Sequence, residues 1–249
     1  MGNLYTSLSS VYEAMYKSFI NYANELDFYS SLLIKYKCKS VFEIGCGTGN
    51  LAPGFNNLGF EYYGLDLSTE MLKMAKKNNP KCRFIEADMR NFALDEKQAS
   101  CIITGRTISY LVTNKDVMDA FTAINKNLLP GGLLCFDCID ANKFIRQIKD
   151  GLHITHKASF ENKKFCRDSF WQINLAQSWT FNWNAVYYQE NENGRQEKIG
   201  EDNSIIRAFC TDEMILFLEL TGFCIKEIIP RPSYAFDTFV IVAEKNKNL

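Results

Sequence analysis

Long apolar runs, blocks of one charge and an even set of cysteines are all missing from this sequence, and each absence narrows what the chain does. No stretch approaches the ~18–20 apolar residues that cross a bilayer, so no membrane span or membrane partner is expected. The opening residues, Met1-Gly2-Asn3-Leu4-Tyr5-Thr6, lack the basic segment and apolar core of a secretory signal. The formal net charge is −1 with no basic block or tail, which gives no basis for broad electrostatic capture of nucleic acid. Nine cysteines, an odd number, fall mostly in expected strands. They read as reduced, buried thiols of a cytoplasmic protein rather than as a disulfide framework. Internal repeats and low-complexity segments are absent too.

Only two histidines occur. Cys135-x-x-Cys138 followed by His153-x-x-His156 has a zinc-like look. However, residues three apart on a strand face opposite sides, and the His pair is tighter than usual for zinc, so no metal is expected. What is present is ordinary for a globular chain: 249 residues, 47% hydrophobic and 23% charged. That length holds one full α/β domain with additions, or two small ones.

The chain is organised around Val41-Phe42-Glu43-Ile44-Gly45-Cys46-Gly47-Thr48-Gly49-Asn50. A short apolar run reads as a buried parallel strand and breaks into three alternate glycines, with a helix-compatible segment after them. Glycine permits positive φ and lets a ligand approach without a Cβ in the way, and the amides of a helix start point at whatever lies above. The dinucleotide fingerprint needs a third glycine where Asn50 stands, and no Walker Gly-Lys-Ser/Thr run occurs. Two further strands end in acids: Phe60 to Asp66, followed by a helix start at Ser68-Thr69-Glu70-Met71, and Phe84-Ile85-Glu86-Ala87-Asp88-Met89. A carboxylate at the end of the second strand is suited to ribose hydroxyls.

The run E-x-G-x-G-x-G, with Asp66 and Asp88-Met89 following in order, resembles class I S-adenosylmethionine-dependent methyltransferases over roughly residues 40–140. The Leu-x-Pro-Gly-Gly turn at 128–132 and Thr221-Gly222-Phe223 before a closing hairpin are similar to that family as well. The resemblance implies S-adenosyl-L-methionine as cofactor and S-adenosyl-L-homocysteine as product. It implies cofactor contacts from Tyr16, Glu43, Gly45, Cys46, Gly47, Gly49, Asp66, Leu67, Met71, Asp88, Met89, Thr104 and Gly105. In such enzymes the acid at position 88 bonds the adenine amino group, the next residue packs on the ring, and a carbonyl near Thr104 holds the methionine ammonium. The Tyr12-Glu13-x-x-Tyr16 stretch is similar to a Tyr-Asp-x-x-Tyr element that lies over the cofactor, with Glu in place of Asp.

Helical spacing of apolar residues gives two cap helices within 1–36, broken near Ile20-Asn21. Strands and helices then alternate from 39 to 139, which argues for a parallel sheet covered on both faces. The expected fold is α/β, a Rossmann-like, seven-stranded and mostly parallel sheet with helices on both faces. Its core spans 37–150 and 210–249. Between these, 151–209 alternates at period two and carries a turn signal at Asn191-Glu192-Asn193-Gly194, so it reads as an inserted antiparallel β layer. Trp171, Trp179, Phe181 and Trp183 put large rings on that layer, either as core or homodimer contact or as a wall of the substrate pocket. A similar auxiliary sheet occurs in small-molecule N-methyltransferases.

The acceptor side draws on Tyr16, Arg106, Tyr110, Arg207 and Tyr234. Arg106 either clamps a carboxylate or pairs with an acid such as Glu43. No catalytic residue is identified. Related enzymes often carry a His just before the position of Arg207, and this chain has none there; His153 and His156 are the other conceivable bases. Methyl transfer to a small-molecule amine is the leading reading. Its rivals are an O-methyltransferase, a protein or RNA methyltransferase, a nicotinamide-dependent oxidoreductase on the same fold, and a non-catalytic protein of this fold.

Overall fold

In the computed structural model, residues 9–149, 151–160, 162–174, 179–191, 193–233 and 236–247 are described. Two helices, α1 (Ser9–Phe19) and α2 (Tyr22–Lys35), precede the first strand. They break at Ile20-Asn21 because Asn21 caps α2, its side chain accepting the Asn24 amide at 3.1 Å. Next come β1 (Ser40–Ile44), α3 (Ala52–Asn57), β2 (Glu61–Asp66), α4 (Thr69–Asn78), β3 (Arg83–Glu86), β4 (Gln98–Ile103), α5 (Asn114–Asn127), β5 (Leu128–Ile139) and α6 (Ala141–Ile148). The chain then runs through β6 (Leu152–Phe160), β7 (Lys163–Ile173), β8 (Thr180–Glu190) and β9 (Gln196–Arg207). It closes with α7 (Thr211–Leu220), β10 (Phe223–Arg231) and β11 (Thr238–Lys245).

The main sheet has seven strands in the order β10-β11-β5-β4-β1-β2-β3. β11 alone runs against its neighbours, pairing antiparallel with both β5 and β10. Side chains alternate between two apolar clusters, one on each face. Phe42, Ile103, Phe136 and Cys138 fill one, and Val41, Ile102, Cys135 and Val242 fill the other. Cys135 and Cys138 are thus separated by the sheet, as their spacing along a strand requires. Among the described residues, no helix is long and apolar enough to cross a membrane.

β6 to β9 form a separate antiparallel sheet of four strands in sequence order. Its inner face packs against α1 and α6 in one apolar cluster. Phe144 of α6 is the hub, with ring centroids 4.1 Å from Phe181 and 4.3 Å from Phe236. Trp171, Phe181 and Trp183 are buried there, whereas Trp179 is 38% exposed.

Three local expectations need correction. β5 begins at Leu128, not Leu133: Pro130-Gly131-Gly132 is an irregularity within the strand, absorbed by a register shift against β4 and by φ +76° at Gly131. The cap of α5 is Thr113 in a reciprocal capping box with Asp116, where the sequence suggests a cap within Asn114-Lys115-Asp116. The helix α6 was not expected at all. Its apolar positions, Ala141, Phe144 and Ile148, fit a single buried stripe too short to stand out in the sequence.

Candidate active site

Strand order reverses between β1 and β4, and in open α/β sheets ligands bind in the crevice beyond that point. A cavity of about 960 Å³ lies there. The glycine turn after β1 forms its floor. Gly45, Gly47 and Gly49 take φ of +72°, +53° and +74°, a region that other residues enter only with strain. The amides of Gly45 and Cys46 both donate to the Leu65 carbonyl, at 2.7 and 3.0 Å, so the end of β2 holds the start of the turn. A Cβ on Gly45 would lie 2.5 Å from Thr107 Cγ2, and one on Gly49 would lie 2.9 Å from Asn79 Nδ2. Above the turn, the Thr48 hydroxyl donates to Glu13 of α1 at 2.5 Å.

Asp66 ends β2 and fastens the turn a second time. One carboxylate oxygen accepts the Gly47 amide and the other the Ser68 amide, each at 2.8 Å. Burial nevertheless raises its pKa, against the pull of those amides. Asp88, after β3, is gripped by the Arg90 guanidinium, which also reaches Asp116 at 2.7 Å. That contact holds the Asp88 carboxyl below its ordinary range. Leu67, Met89, Thr104 and Gly105 border the same cavity, as do Glu43, Cys46 and Tyr16. Gly49 and Met71 do not line it: Met71 is fully buried in α4, and Gly49 packs toward Asn79.

Two buried acids stand at the strand ends. Glu43 accepts from the Tyr62 hydroxyl at 2.6 Å and the Thr104 hydroxyl at 3.1 Å. Burial pushes its pKa up to about 7, and those two bonds limit the rise. Arg106 is the second of two consecutive left-handed positions, with φ +63° after φ +65° at Gly105, and together they turn the chain into a short 3-10 helix over Thr107–Tyr110. Its backbone amide donates to Asp137 Oδ1 at 2.9 Å. Asp137, near the end of β5, is buried and its pKa rises to about 6, with Arg106 opposing the rise. Asp137, rather than Glu43, is therefore the acid beside Arg106.

On the acceptor side, Tyr16, Arg106 and Tyr110 line the cavity. Arg207 does not. It is fully buried, bonded to the Val112 carbonyl (3.2 Å), Asn114 (2.7 Å) and Glu213, with its guanidinium 4.8 Å from the Phe209 ring centroid. The arginine joins the end of β9 to α5 and α7, so its place is structural. Tyr234 lies outside the described residues. His153 is exposed, while His156 Nδ1 lies 3.1 Å from an Arg167 nitrogen. A guanidinium only donates, so that ring nitrogen accepts. Burial and the neighbouring arginines lower the His156 pKa to about 4, which makes it a poor proton acceptor.

Sequence reading missed Asp137 and Arg167, and the partner of Arg231 in the loop 230–234, which it places at the border of the site. Asp137 left a usable signal: it is the single charged residue in the apolar run Leu133–Ile139, and a lone acid in a buried strand calls for a reason. Arg231 grips Glu25 of α2 with two 2.8 Å bonds at the cavity wall. Nothing in the local sequence of either residue shows that pairing across the fold.

Comparison with known proteins agrees with this geometry. Residues 41–132 match a family model described as a methyltransferase domain. The chain is 31% identical over 114 residues to the methyltransferase-class protein YqeM of Bacillus subtilis, a match that spans 44% of this chain and 46% of that protein. It is 30% identical over 98 residues to a dTDP-3-amino-3,4,6-trideoxy-alpha-D-glucopyranose N,N-dimethyltransferase of Streptomyces venezuelae, covering 39% of this chain and 41% of that one. The chain thus matches less than half the length of these two relatives. Over 95% of its length it superimposes on 97% of CalS10, an amino pentose methyltransferase of Micromonospora echinaspora, with a TM-score of 0.80 and 20% identity. Residues 41–132 are thus similar to a methyltransferase domain, and the chain that carries them has the fold of class I S-adenosylmethionine-dependent methyltransferases.

Proposed function

We propose that the protein transfers the methyl group of S-adenosylmethionine to the amine of a small molecule. The observation that carries this reading is the single cavity shared by the glycine turn, the acids ending β2 and β3, and the insert strand β9. Its volume is near the top of the ~300–1,000 Å³ range of small-molecule sites, which leaves room for an acceptor beside the cofactor. The residues present fit the adenosyl ligand. Asp66 accepts the Gly47 and Ser68 amides and has further lone pairs to offer ribose hydroxyls, and in this reading Asp88 and Met89 meet the adenine. Bound there, S-adenosylmethionine supplies a methyl already activated on a cationic sulfur, so alignment is the enzyme's main task.

Tyr16 and Tyr110 stand on the acceptor side of that cavity. Asp137 takes the amine's proton: it lines the cavity, it is buried, and its pKa near 6 leaves it mostly ionised at neutral pH. The relatives that methylate amino sugars support an amine over an alcohol. A reducing cytoplasm suits Cys101, Cys135 and Cys138, all buried thiols in the main sheet. Pairing of two copies through the outer face of the insert, where Phe170 is 41% exposed, belongs to the same reading.

Thermal unfolding with S-adenosylhomocysteine, S-adenosylmethionine and NAD tests the cofactor. Ligand at 100 times its Kd adds about 2.7 kcal/mol, or roughly 5–10 °C in a chain of this size. Asp66→Asn should lose most of that rise and remain folded. A response to NAD alone, or none to the adenosyl ligands, rejects the reading. Formation of S-adenosylhomocysteine from an amine library, with alcohols alongside, then tests the acceptor.

A further inference from the structure

Asp88 and Met89 line the main cavity, whereas Arg90, the next residue, does not. Three N–H groups of Arg90 nevertheless converge on the Asp88 carboxylate. The backbone amide donates to Oδ1 at 2.9 Å, Nε to Oδ1 at 3.0 Å, and Nη2 to Oδ2 at 2.6 Å. Both oxygens are engaged, in the planar fork by which a guanidinium grips a carboxylate. The main chain around them is fixed as well. The Asn91 amide donates to the Asp88 carbonyl at 2.9 Å and closes a turn over 88–91, and the Ala87 amide donates to the Asp66 carbonyl at 3.1 Å.

The far side of the guanidinium is anchored too. Nη1 donates to Asp116 Oδ1 at 2.7 Å, and Asp116 is the third residue of α5, locked with Thr113 in the capping box. Arg90 thus joins an acid of the cavity wall to a helix end. As a source of stability the cluster is weak. Its side chains are 44%, 31% and 22% exposed, and ion pairs in such surroundings contribute about 0–1 kcal/mol. Its effect on direction is larger. A free Asp carboxylate turns through a broad, two-fold torsion, and the fork fixes this one. The same contact holds the Asp88 carboxyl below its ordinary range, so near neutral pH it accepts hydrogen bonds and does not donate them.

We propose that Arg90 is a positioning residue for the cofactor's base: by fixing the plane of the Asp88 carboxylate it makes the cavity select a 6-amino purine and reject a 6-oxo purine. An amino group presents an N–H to the carboxylate, whereas an oxo group presents lone pairs, and two facing acceptors repel. A site built to hydrogen-bond an N–H discriminates against an analogue that lacks it, provided its acceptor stays in place. A mobile carboxylate turns away from the oxo group or toward the neighbouring ring N–H, and so tolerates both bases. One held in the fork does neither. This inference rests on the reading that Asp88 meets the adenine, and it assigns the selectivity of that contact to a residue that does not line the cavity.

The probes are S-adenosylhomocysteine and its deaminated counterpart, S-inosylhomocysteine, each titrated by calorimetry into the wild type, Arg90→Met and Arg90→Lys. The wild type should bind the adenosyl compound at least about tenfold more tightly. In Arg90→Met that ratio should shrink at least about threefold, while the thermal midpoint shows a folded protein. Lysine keeps the charge without the fork, so Arg90→Lys should show the same reduced ratio. An arginine that only braced the turn would weaken both ligands equally and leave the ratio alone. An unchanged ratio in Arg90→Met, or its full restoration in Arg90→Lys, overturns the proposal. A wild type that binds both compounds equally takes Asp88 away from the base and overturns it as well. A wild type that binds neither rejects the adenosyl cofactor itself and the proposal with it, so the two failures are told apart in the same titrations.

Discussion

The carboxylate of Glu13 accepts a 2.5 Å hydrogen bond from the hydroxyl of Thr48, which ties the first helix to the glycine turn across 35 residues. Glu13 is 3% exposed and also meets Lys17, itself largely in solvent. Replacing Glu13 by Ala leaves a buried hydroxyl without its acceptor, a loss of about 1–3 kcal/mol. The expected result is loss of amide-exchange protection in α1 together with weaker S-adenosylhomocysteine binding by calorimetry. Full protection in the variant would show that α1 is held by apolar contacts alone.

Two glycines with similar backbone angles should respond differently to a methyl group. Gly45 and Gly59 have φ of +72° and +83°, but only at Gly45 does an added Cβ meet a neighbour, the branched Thr107 side chain. Gly59→Ala should cost about 1 kcal/mol from backbone strain. Gly45→Ala should add about 1–3 kcal/mol more from overpacking. Urea unfolding of the two variants measures the gap directly.

Glu43 makes stability depend on pH in a predictable direction. Its folded pKa of about 7 lies above its ordinary value of 4.5. The native state therefore holds a proton that the unfolded chain has released between those limits. The associated stability is present below pH 4.5 and is lost as pH rises to 7. Glu43→Gln removes that dependence while keeping one carbonyl acceptor, and its amide nitrogen can donate to the other hydroxyl oxygen. Between pH 5 and pH 8, urea unfolding should shift in favour of the Gln variant by up to about 3 kcal/mol. A constant difference across that range would mean that Glu43 is ionised throughout.

Arg207 should matter to the fold and not to the ligand. Arg207→Met breaks its buried contacts with Asn114, the Val112 carbonyl and Glu213. A loss of about 3 kcal/mol in chemical unfolding is expected, with S-adenosylhomocysteine affinity changed by less than about twofold. A large loss of affinity at unchanged stability would return this arginine to the acceptor site.

Asp137→Asn keeps an acceptor for the Arg106 amide and removes the proton acceptor. In the wild type, kcat should fall as pH drops below about 6, where the carboxyl becomes protonated. The Asn variant should be slower at pH 7 and should lack that acid limb. Retention of the limb would assign it to another group.

The core was largely legible because local pattern and tertiary role coincide there. The break before Gly45, the acid closing β2 and the acid-Met pair after β3 are strand-end features that depend on a few adjacent residues. Arg207 misled because an arginine near an expected pocket looks the same in sequence whether it faces a ligand or, as here, closes against Glu213. Arg231 and Glu25 gave no signal, since their pairing depends on how the sheet brings distant segments together. Pro130-Gly131-Gly132 reads as a turn by composition, yet pairing of Leu128 and Leu133 with β4 on either side of it keeps it within a strand. α6 was hidden because its one apolar stripe gains meaning only against Trp171 and Phe181.

The two bonds from Arg231 to Glu25 span 206 positions. During synthesis the second helix is made well before its clasp, while chains emerge at about 5–20 residues per second. For the interval between those events the roof over the crevice has no anchor at this corner. A nascent chain stalled before Arg231 would expose the strand ends to solvent. Protease sensitivity within α2 should therefore persist in ribosome-bound chains until the stretch around Arg231 has left the exit tunnel.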